Sequence, residues 1–331
     1  MRLTQLQLGD STNRWGTPPA AGSVIAECAD GVNDYPSAFG DALKVAAAGY
    51  IGVAPEEIVT GCGSDNVLDT AIRAYSAPGD GVAWCSPTFV MMPLLAQLQG
   101  LKVHEIAFTS SGDADADALL ATGARIIYVC TPNNPTGSLA ARETLEHLAR
   151  EASGLLIIDE AYAEFSGTSV AALAPQRDRV LVTRTMSKAF GLAGLRAGYG
   201  IAHAGVIRKL ERARGPYTLN SIAERAAVAA LATDQEWMRE RVVEAVVNRE
   251  RLAESLRAMG FVPLSSAANF LCVPMPDAVA VARALAHEGI IVRAFSGLRG
   301  IGDAIRISSA PWPQLERFLS AFAQLHASGR S

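Results

Sequence analysis

Several protein classes are excluded by what this 331-residue chain lacks. Only 19% of its residues are charged, and 29 Lys+Arg against 33 Asp+Glu leave a net charge of −4. With no basic excess there is no general electrostatic basis for binding nucleic acid or an anionic membrane surface. The local run Arg208-Lys209-Leu210-Glu211-Arg212-Ala213-Arg214 reads as a solvated helix face. No stretch reaches 18 uncharged apolar residues, so no membrane span is expected. Cysteine is scarce: Cys28, Cys62, Cys85, Cys130 and Cys272 make an odd set without CxxC spacing or a nearby histidine cluster. A disulfide framework and a structural metal site are therefore not expected. The N-terminal residues lack a signal-peptide core, and cytoplasmic placement is the expectation. A phosphate loop of the GxxxxGK[ST] type is missing, as are the Ser-x-x-Lys and Lys-Thr-Gly phrases of serine acyl-enzymes.

What is present is globular. Half the residues are hydrophobic, and a chain of this length buries roughly three quarters of its unfolded surface. Short Val- and Ile-rich runs at 57–60, 81–86, 102–106, 126–131, 155–159, 180–185 and 197–201 alternate with amphipathic stretches at 65–75, 91–99, 142–150 and 206–214. Runs without polar alternation are how strands buried on both faces read. The pattern predicts an α/β fold with a mainly parallel central sheet and helices on both faces. From about residue 220 long Ala-, Glu- and Arg-rich helices over 221–259 give way to short strands near 270–273, 290–293 and 305–308, with helices over 278–288 and 312–326. This predicts a smaller α+β unit. The division is a large domain over 36–225, and an N-terminal arm (1–35) with a small C-terminal domain (226–331). The first 35 residues, rich in turn formers, read as an irregular arm or lid.

Polar residues recur where predicted strands end, the edge at which open α/β sheets bind ligands. Lys188 follows the strand 180–185 in Thr-Met-Ser187-Lys188. A lysine desolvated there would lose its proton readily and suit Schiff-base chemistry; a surface loop lysine is the other reading. Asp159 closes an all-apolar strand, with Tyr162 three residues on. It reads as a partner for a cationic ring nitrogen, a metal ligand or a helix cap. Asn134 lies in the turn Pro-Asn-Asn134-Pro-Thr-Gly. Gly61-Cys-Gly63-Ser64-Asp65 opens a helix, where glycines and free N–H groups can receive an anion.

The order and spacing of the set settle what each phrase leaves open. The Gly loop, Asn134-Pro-Thr-Gly, Asp159-x-x-Tyr162, Ser187-Lys188, Arg196 and Arg306 follow in sequence. The chain resembles the fold-type I pyridoxal-phosphate enzymes of the aspartate aminotransferase superfamily, and within it the histidinol-phosphate aminotransferases. Tyr35-Pro36, Pro216-Tyr217-Thr-Leu-Asn220, Asn269-Phe270 and Ile290-Ile-Val-Arg293 carry the nearer likeness. It spans about residues 13 to 322. The resemblance implies a ping-pong transaminase, with an amino acid or amino-alcohol phosphate as donor and a 2-oxo acid such as 2-oxoglutarate as acceptor. It implies pyridoxal 5′-phosphate in a Schiff base on Lys188, which also shuttles the proton. Asp159 would hold the ring nitrogen, Asn134 and Tyr162 the ring oxygen, and Gly63, Ser64, Asp65, Ser187 and Arg196 the phosphate. Tyr35 would reach the phosphate of a second chain, making a homodimer with shared sites. Arg306 and Arg293 would bind the substrate's anionic groups.

Three positions depart from the family pattern. Met92 stands where a ring is expected over the cofactor. Asn13-Arg14-Trp15-Gly16 replaces the Asn-Glu-Asn-Pro of the arm, leaving Asn13 and Tyr35 as substrate-side candidates there. Asn66 follows Ser-Asp where an acidic residue is common. The departures touch substrate and stacking positions, not the core chemistry. Two same-fold alternatives are a threonine-phosphate type decarboxylase and a non-catalytic cofactor-sensing domain. The latter needs a basic, helical DNA-binding segment ahead of the large domain; the first 35 residues read as neither.

Overall fold

The computed structural model describes residues 5–28 and 31–327. A short strand β1 (Leu6–Gln7) is followed by helices α1 (Pro19–Glu27) and α2 (Asp41–Ile51). An alternating stretch then runs β2 (Ile58–Cys62), α3 (Gly63–Tyr75), β3 (Gly81–Ser86), α4 (Met91–Leu98), β4 (Lys102–Ala107), α5 (Ala116–Ala121), β5 (Ile126–Cys130), α6 (Arg142–Glu151), β6 (Leu155–Asp159), α7 (Ala163–Ser166), β7 (Val180–Thr185), β8 (Ala197–Ile201) and α8 (Ala204–Ala213). Helices α9 (Ser221–Thr233) and α10 (Gln235–Ala258) lead to β9 (Phe270–Pro274), α11 (Ala278–His287), β10 (Ile290–Ile291), β11 (Arg293–Leu298), β12 (Gly302–Ser308) and α12 (Trp312–Ala327).

Seven strands form one sheet in the order β2-β8-β7-β6-β5-β3-β4. β3–β7 run parallel to one another, and β8 is antiparallel to both β2 and β7. The expected mainly parallel sheet with helices on both faces is what forms. Strand alternation divides the interior. Tyr128 and Ile157 face a core built with α3, α4 and α8; Ile127, Val129, Leu156 and Ile158 face one built with α2, α6 and α9. Both faces are covered, which is why these strands lack a polar period.

A second core lies under the three-stranded sheet β11-β12-β9, closed by α11 and α12. Helix α10 spans the two: Met238 and Ala245 belong to the main core, Leu252 and Leu256 to the second. The N-terminal segment pairs as β1 with β10. Ser11 N–H then donates to Ser308 Oγ, and Asn269 Nδ2 to Ser11 O.

The expectation of an irregular, non-helical first 35 residues is corrected by α1. Pro19 suits a first helical turn because the missing N–H is unpaired there anyway. The cap comes from far away. Asp234, between α9 and α10, accepts from the N–H groups of Ala20 and Ala21 through its two oxygens, at 3.0 Å each. Among the described residues no helix is long and apolar enough to cross a membrane.

Candidate active site

The C-terminal ends of β5, β6 and β7 open into a pocket of about 350 Å³, which the arm and the small sheet complete. Its lining contains Ser64, Asp65, Asn134, Asp159, Tyr162, Ser187, Lys188, Arg196, Arg293 and Arg306. Ten of the singled-out residues, spread over more than 240 positions, thus meet in one cavity.

Lys188 is half-buried, and its Nζ donates to the carbonyl of Asp10 at 2.9 Å. Desolvation, and then the positive charge of Arg306, push its pKa down to about 8. It therefore exchanges its proton near neutral pH, where an ordinary lysine does not. Asp159 is 2% exposed. Burial raises its pKa to about 6, while hydrogen bonds from Tyr128 and Thr183 pull the other way. Tyr162, buried edge-on against Phe270 with ring centroids 5.2 Å apart, has its phenol pKa pushed up by burial and remains a donor.

The anion end is built by close approach. Gly63 opens α3 with φ +76°, and a Cβ there would lie 2.7 Å from Arg196 Nη2. On β8, a Cβ at Gly198 would fall 2.3 Å from Ser64 N. Both glycines let β8 and Arg196 press against the N-terminus of α3, whose first N–H groups have no partner within the helix. Arg196 Nη2 donates to Asp65 Oδ2 at 3.0 Å, and its Nη1 to Ser187 Oγ at 3.3 Å. Gly63 itself lies beneath the pocket and is not part of its lining.

At the substrate side, β11 and β12 place Arg293 directly across from Arg306. Arg293 is exposed; Arg306 is buried, bonded to Asn134 Oδ1 and Gly9 O, with its Nε unpartnered. Phe295 lines the wall beside them, 5.9 Å from the Arg306 guanidinium.

Two expectations, at Met92 and Asn13, are corrected. Met92 does not cover the pocket: it is fully buried among Val67, Leu68 and Trp84. The ring in that phrase is Phe89, which lines the pocket with Thr88 and Val90. The helix begins at Met91, so Phe89 stands before its first turn and faces the cavity, while Met92 turns toward the sheet. Asn13 is not a pocket residue either. Its Nδ2 donates to Ala189 O at 3.0 Å and its Oδ1 accepts from Trp15 N, which ties the arm to the Lys188 loop. The arm's pocket residues are Asp10 and Thr12. Tyr35 is 84% exposed, packs at a tilt against Tyr217 with ring centroids 4.8 Å apart, and is outside this chain's pocket. Residues with no signal of their own in the sequence, Tyr128 and Thr183, hold Asp159.

Comparison with known proteins agrees with this geometry. The family model for aminotransferase class I and II matches residues 4–322. A histidinol-phosphate aminotransferase of Roseiflexus castenholzii is 40% identical over 317 residues, covering 92% of this chain and 85% of that protein. An aromatic amino acid aminotransferase of Rhodococcus jostii is 34% identical over 326 residues, covering 96% and 89%. The crystal structure of histidinol-phosphate aminotransferase from Sinorhizobium meliloti in complex with pyridoxal-5′-phosphate superposes with a TM-score of 0.91 at 27% identity, over 98% of this chain and 91% of that one. With the family model running across both cores and the half-buried lysine, buried carboxylate and anion cradle in one pocket, the chain belongs to the class I and II aminotransferases.

Proposed function

We propose that the protein is a pyridoxal-phosphate aminotransferase that takes its amino group from histidinol phosphate, or a close amino-alcohol phosphate, and delivers it to a 2-oxo acid such as 2-oxoglutarate in a ping-pong cycle. The carrying observation is Lys188: a lysine of depressed pKa, within electrostatic reach of both Arg196 and Arg306, in a pocket that also holds a buried carboxylate.

The residues fit the cofactor. Arg196 can lie against the start of α3 only because Gly63 lacks a Cβ. A dianionic phosphate suits the α3 N-terminus, Ser64, Ser187 and Arg196, with Asp65 serving through its backbone N–H. When bound, the cofactor supplies an aldehyde for the amine and a conjugated ring that stores the electron pair left at the substrate's α-carbon. Asp159 keeps a proton on the ring nitrogen. Asn134, its Oδ1 engaged by Arg306, has Nδ2 left to donate to the ring oxygen alongside the Tyr162 hydroxyl. Phe89 offers the face on which a flat ring rests. Lys188 Nζ, neutral in a sizeable fraction near pH 8, would take the proton from the donor's α-carbon and deliver it to the carbon that carried the cofactor's aldehyde, the transfer that moves the amino group. Arg306, with its buried unpaired Nε, and Arg293 hold the anionic end of the donor.

The position of Tyr35, exposed and away from its own pocket, suits a side chain that completes the pocket of a second copy, and we read the functional unit as a homodimer. The cofactor unit then runs past the expected boundary at 225, because α9 and the first half of α10 pack in the main core, and the substrate-side unit is built from β1 and the chain from Leu252 onward. Free cysteines, four of them buried, fit a reducing cytoplasm.

The test is the visible spectrum of the purified protein. Loss of the yellow band on adding histidinol phosphate alone, and its return with 2-oxoglutarate, are expected. An unresponsive yellow protein would reject this donor, carbon dioxide release would point to decarboxylation, and a protein that takes up no cofactor would end the proposal. A second donor class is favoured by one observation: the rings of Phe89 and Phe295 both line the pocket and suit an aromatic side chain. Phenylalanine in the same experiment tests it.

A further inference from the structure

The bonds to Asp159 come from both neighbouring strands. In the β5–β6 register Cys130 stands beside Asp159, so Tyr128, two residues earlier on the same face of β5, is the diagonal neighbour. That separation is too great for a short side chain and within reach of an aromatic one. The Tyr128 hydroxyl spans it and donates to Asp159 Oδ2 at 2.8 Å. Thr183, the direct partner of Asp159 in β7, donates to Oδ1 at 3.1 Å, and the N–H of Ala161 to the same oxygen at 3.2 Å. The Tyr128 ring is fully buried against the core that contains Trp84, Met92 and Ile157. It is not part of the pocket lining. It reaches the site only through the carboxylate.

We infer that Tyr128 is a positioning residue for transamination, which from beneath the pocket fixes the orientation of Asp159 and holds it as the carboxylate that partners a ring nitrogen. The inference rests on the pyridoxal-phosphate reading above. A phenylalanine would fill the same core volume, so packing does not account for the hydroxyl. A hydroxyl that donates to a carboxylate stabilises the charged form, whereas burial favours the acid. Thr183 and the N–H of Ala161 give the same stabilisation at Oδ1; at Oδ2 the remaining groups facing Asp159 do not supply it. Cys130 from β5 and Tyr162 from the following loop are held neutral by burial, and Asp65 from α3 opposes the charge. Lys188 and Arg196 share the pocket but make no hydrogen bond to Asp159. Thr183 holds the other oxygen.

The test uses Tyr128→Phe and, at the same position, 3-fluorotyrosine, a stronger donor of nearly the same shape. In cofactor-free protein carrying carboxyl-labelled aspartate, the Asp159 signal is assigned by its loss in Asp159→Asn. Its titration is expected to move up by about one unit in Tyr128→Phe, a tenfold gain in proton affinity, and down with 3-fluorotyrosine. In the loaded enzyme the acid limb of the kcat profile moves in the same two directions, while KM for histidinol phosphate stays within about twofold. An Asp159 titration unmoved by both substitutions overturns the role of Tyr128 even if the loaded wild type transaminates normally. A titration that moves without the kcat limb following it also overturns the role. Wild-type protein that takes up no pyridoxal phosphate overturns the cofactor reading instead, and with it any role at a ring nitrogen.

Discussion

The chemistry of single residues follows from where they are desolvated. Lys188 has a folded pKa near 8, below its ordinary value, so folding disfavours its ammonium form. In cofactor-free protein that penalty is complete below about pH 8 and disappears as pH rises toward the unfolded value near 10.4, since the unfolded chain then holds the extra proton. Lys188→Met should therefore stabilise the apo-protein by about 2 kcal/mol at pH 7, and denaturant unfolding at pH 10 should show the advantage gone. Transamination should be abolished in the same variant; full turnover would reject the assigned role. Gly63→Ala is expected to act differently. A Cβ at φ +76°, 2.7 Å from Arg196 Nη2, strains the backbone and displaces the guanidinium. Stability should fall by about 1–2 kcal/mol, and affinity for pyridoxal phosphate by tenfold or more in a binding titration.

At the scale of elements, strands and helices differed in how plainly the sequence announced them. β3, β6, β7 and β8 begin and end where their apolar runs do. A strand covered on both faces carries few polar residues to blur its limits. Helix α1 was hidden because its N-terminal partner, Asp234, comes from more than 200 residues away. Asp234→Ala should cost about 2 kcal/mol, since two N–H groups lose a charged acceptor. Hydrogen exchange should localise the loss to α1. The helix α4 shows the opposite error. Its start at residue 91 was legible, but which side chain meets the cavity depends on the path of the chain ahead of the first turn, where Phe89 lies, and on Met92 turning toward the sheet.

At the scale of the whole molecule, the pocket belongs to neither core alone. Lys188, Asp159 and Arg196 come from the seven-stranded sheet, Arg293, Phe295 and Arg306 from the three-stranded one, and Asp10 from the arm. Arg299, at the tip of the β11–β12 hairpin, donates to Glu105 O on the edge strand β4 and fastens the substrate-side wall to the large sheet. Helix α10 runs through both cores and fixes their spacing. Tyr35 and Tyr217, packed against each other, remain on the outside, 84% and 48% exposed. Sedimentation should find a dimer, and Tyr35→Phe should weaken cofactor binding about tenfold without lowering the melting temperature. An active monomer would contradict the shared site.

The sequence by itself determined the sheet, the order of the strands along the chain and most of the chemical set. Apolar periodicity is a local property, and residues at strand ends inherit a common edge from the fold they imply. Lys188, Asp159, Asn134 and Tyr162 could be singled out for that reason, and Arg196 entered with the family resemblance. Tertiary structure alone decided which ring of the 87–92 phrase faces the pocket, that Asn13 joins the arm to the Lys188 loop, and that Tyr128 stands under Asp159. Those outcomes depend on strand register, helix phase and contacts between distant segments. None of these is encoded in the spacing of neighbours along the chain.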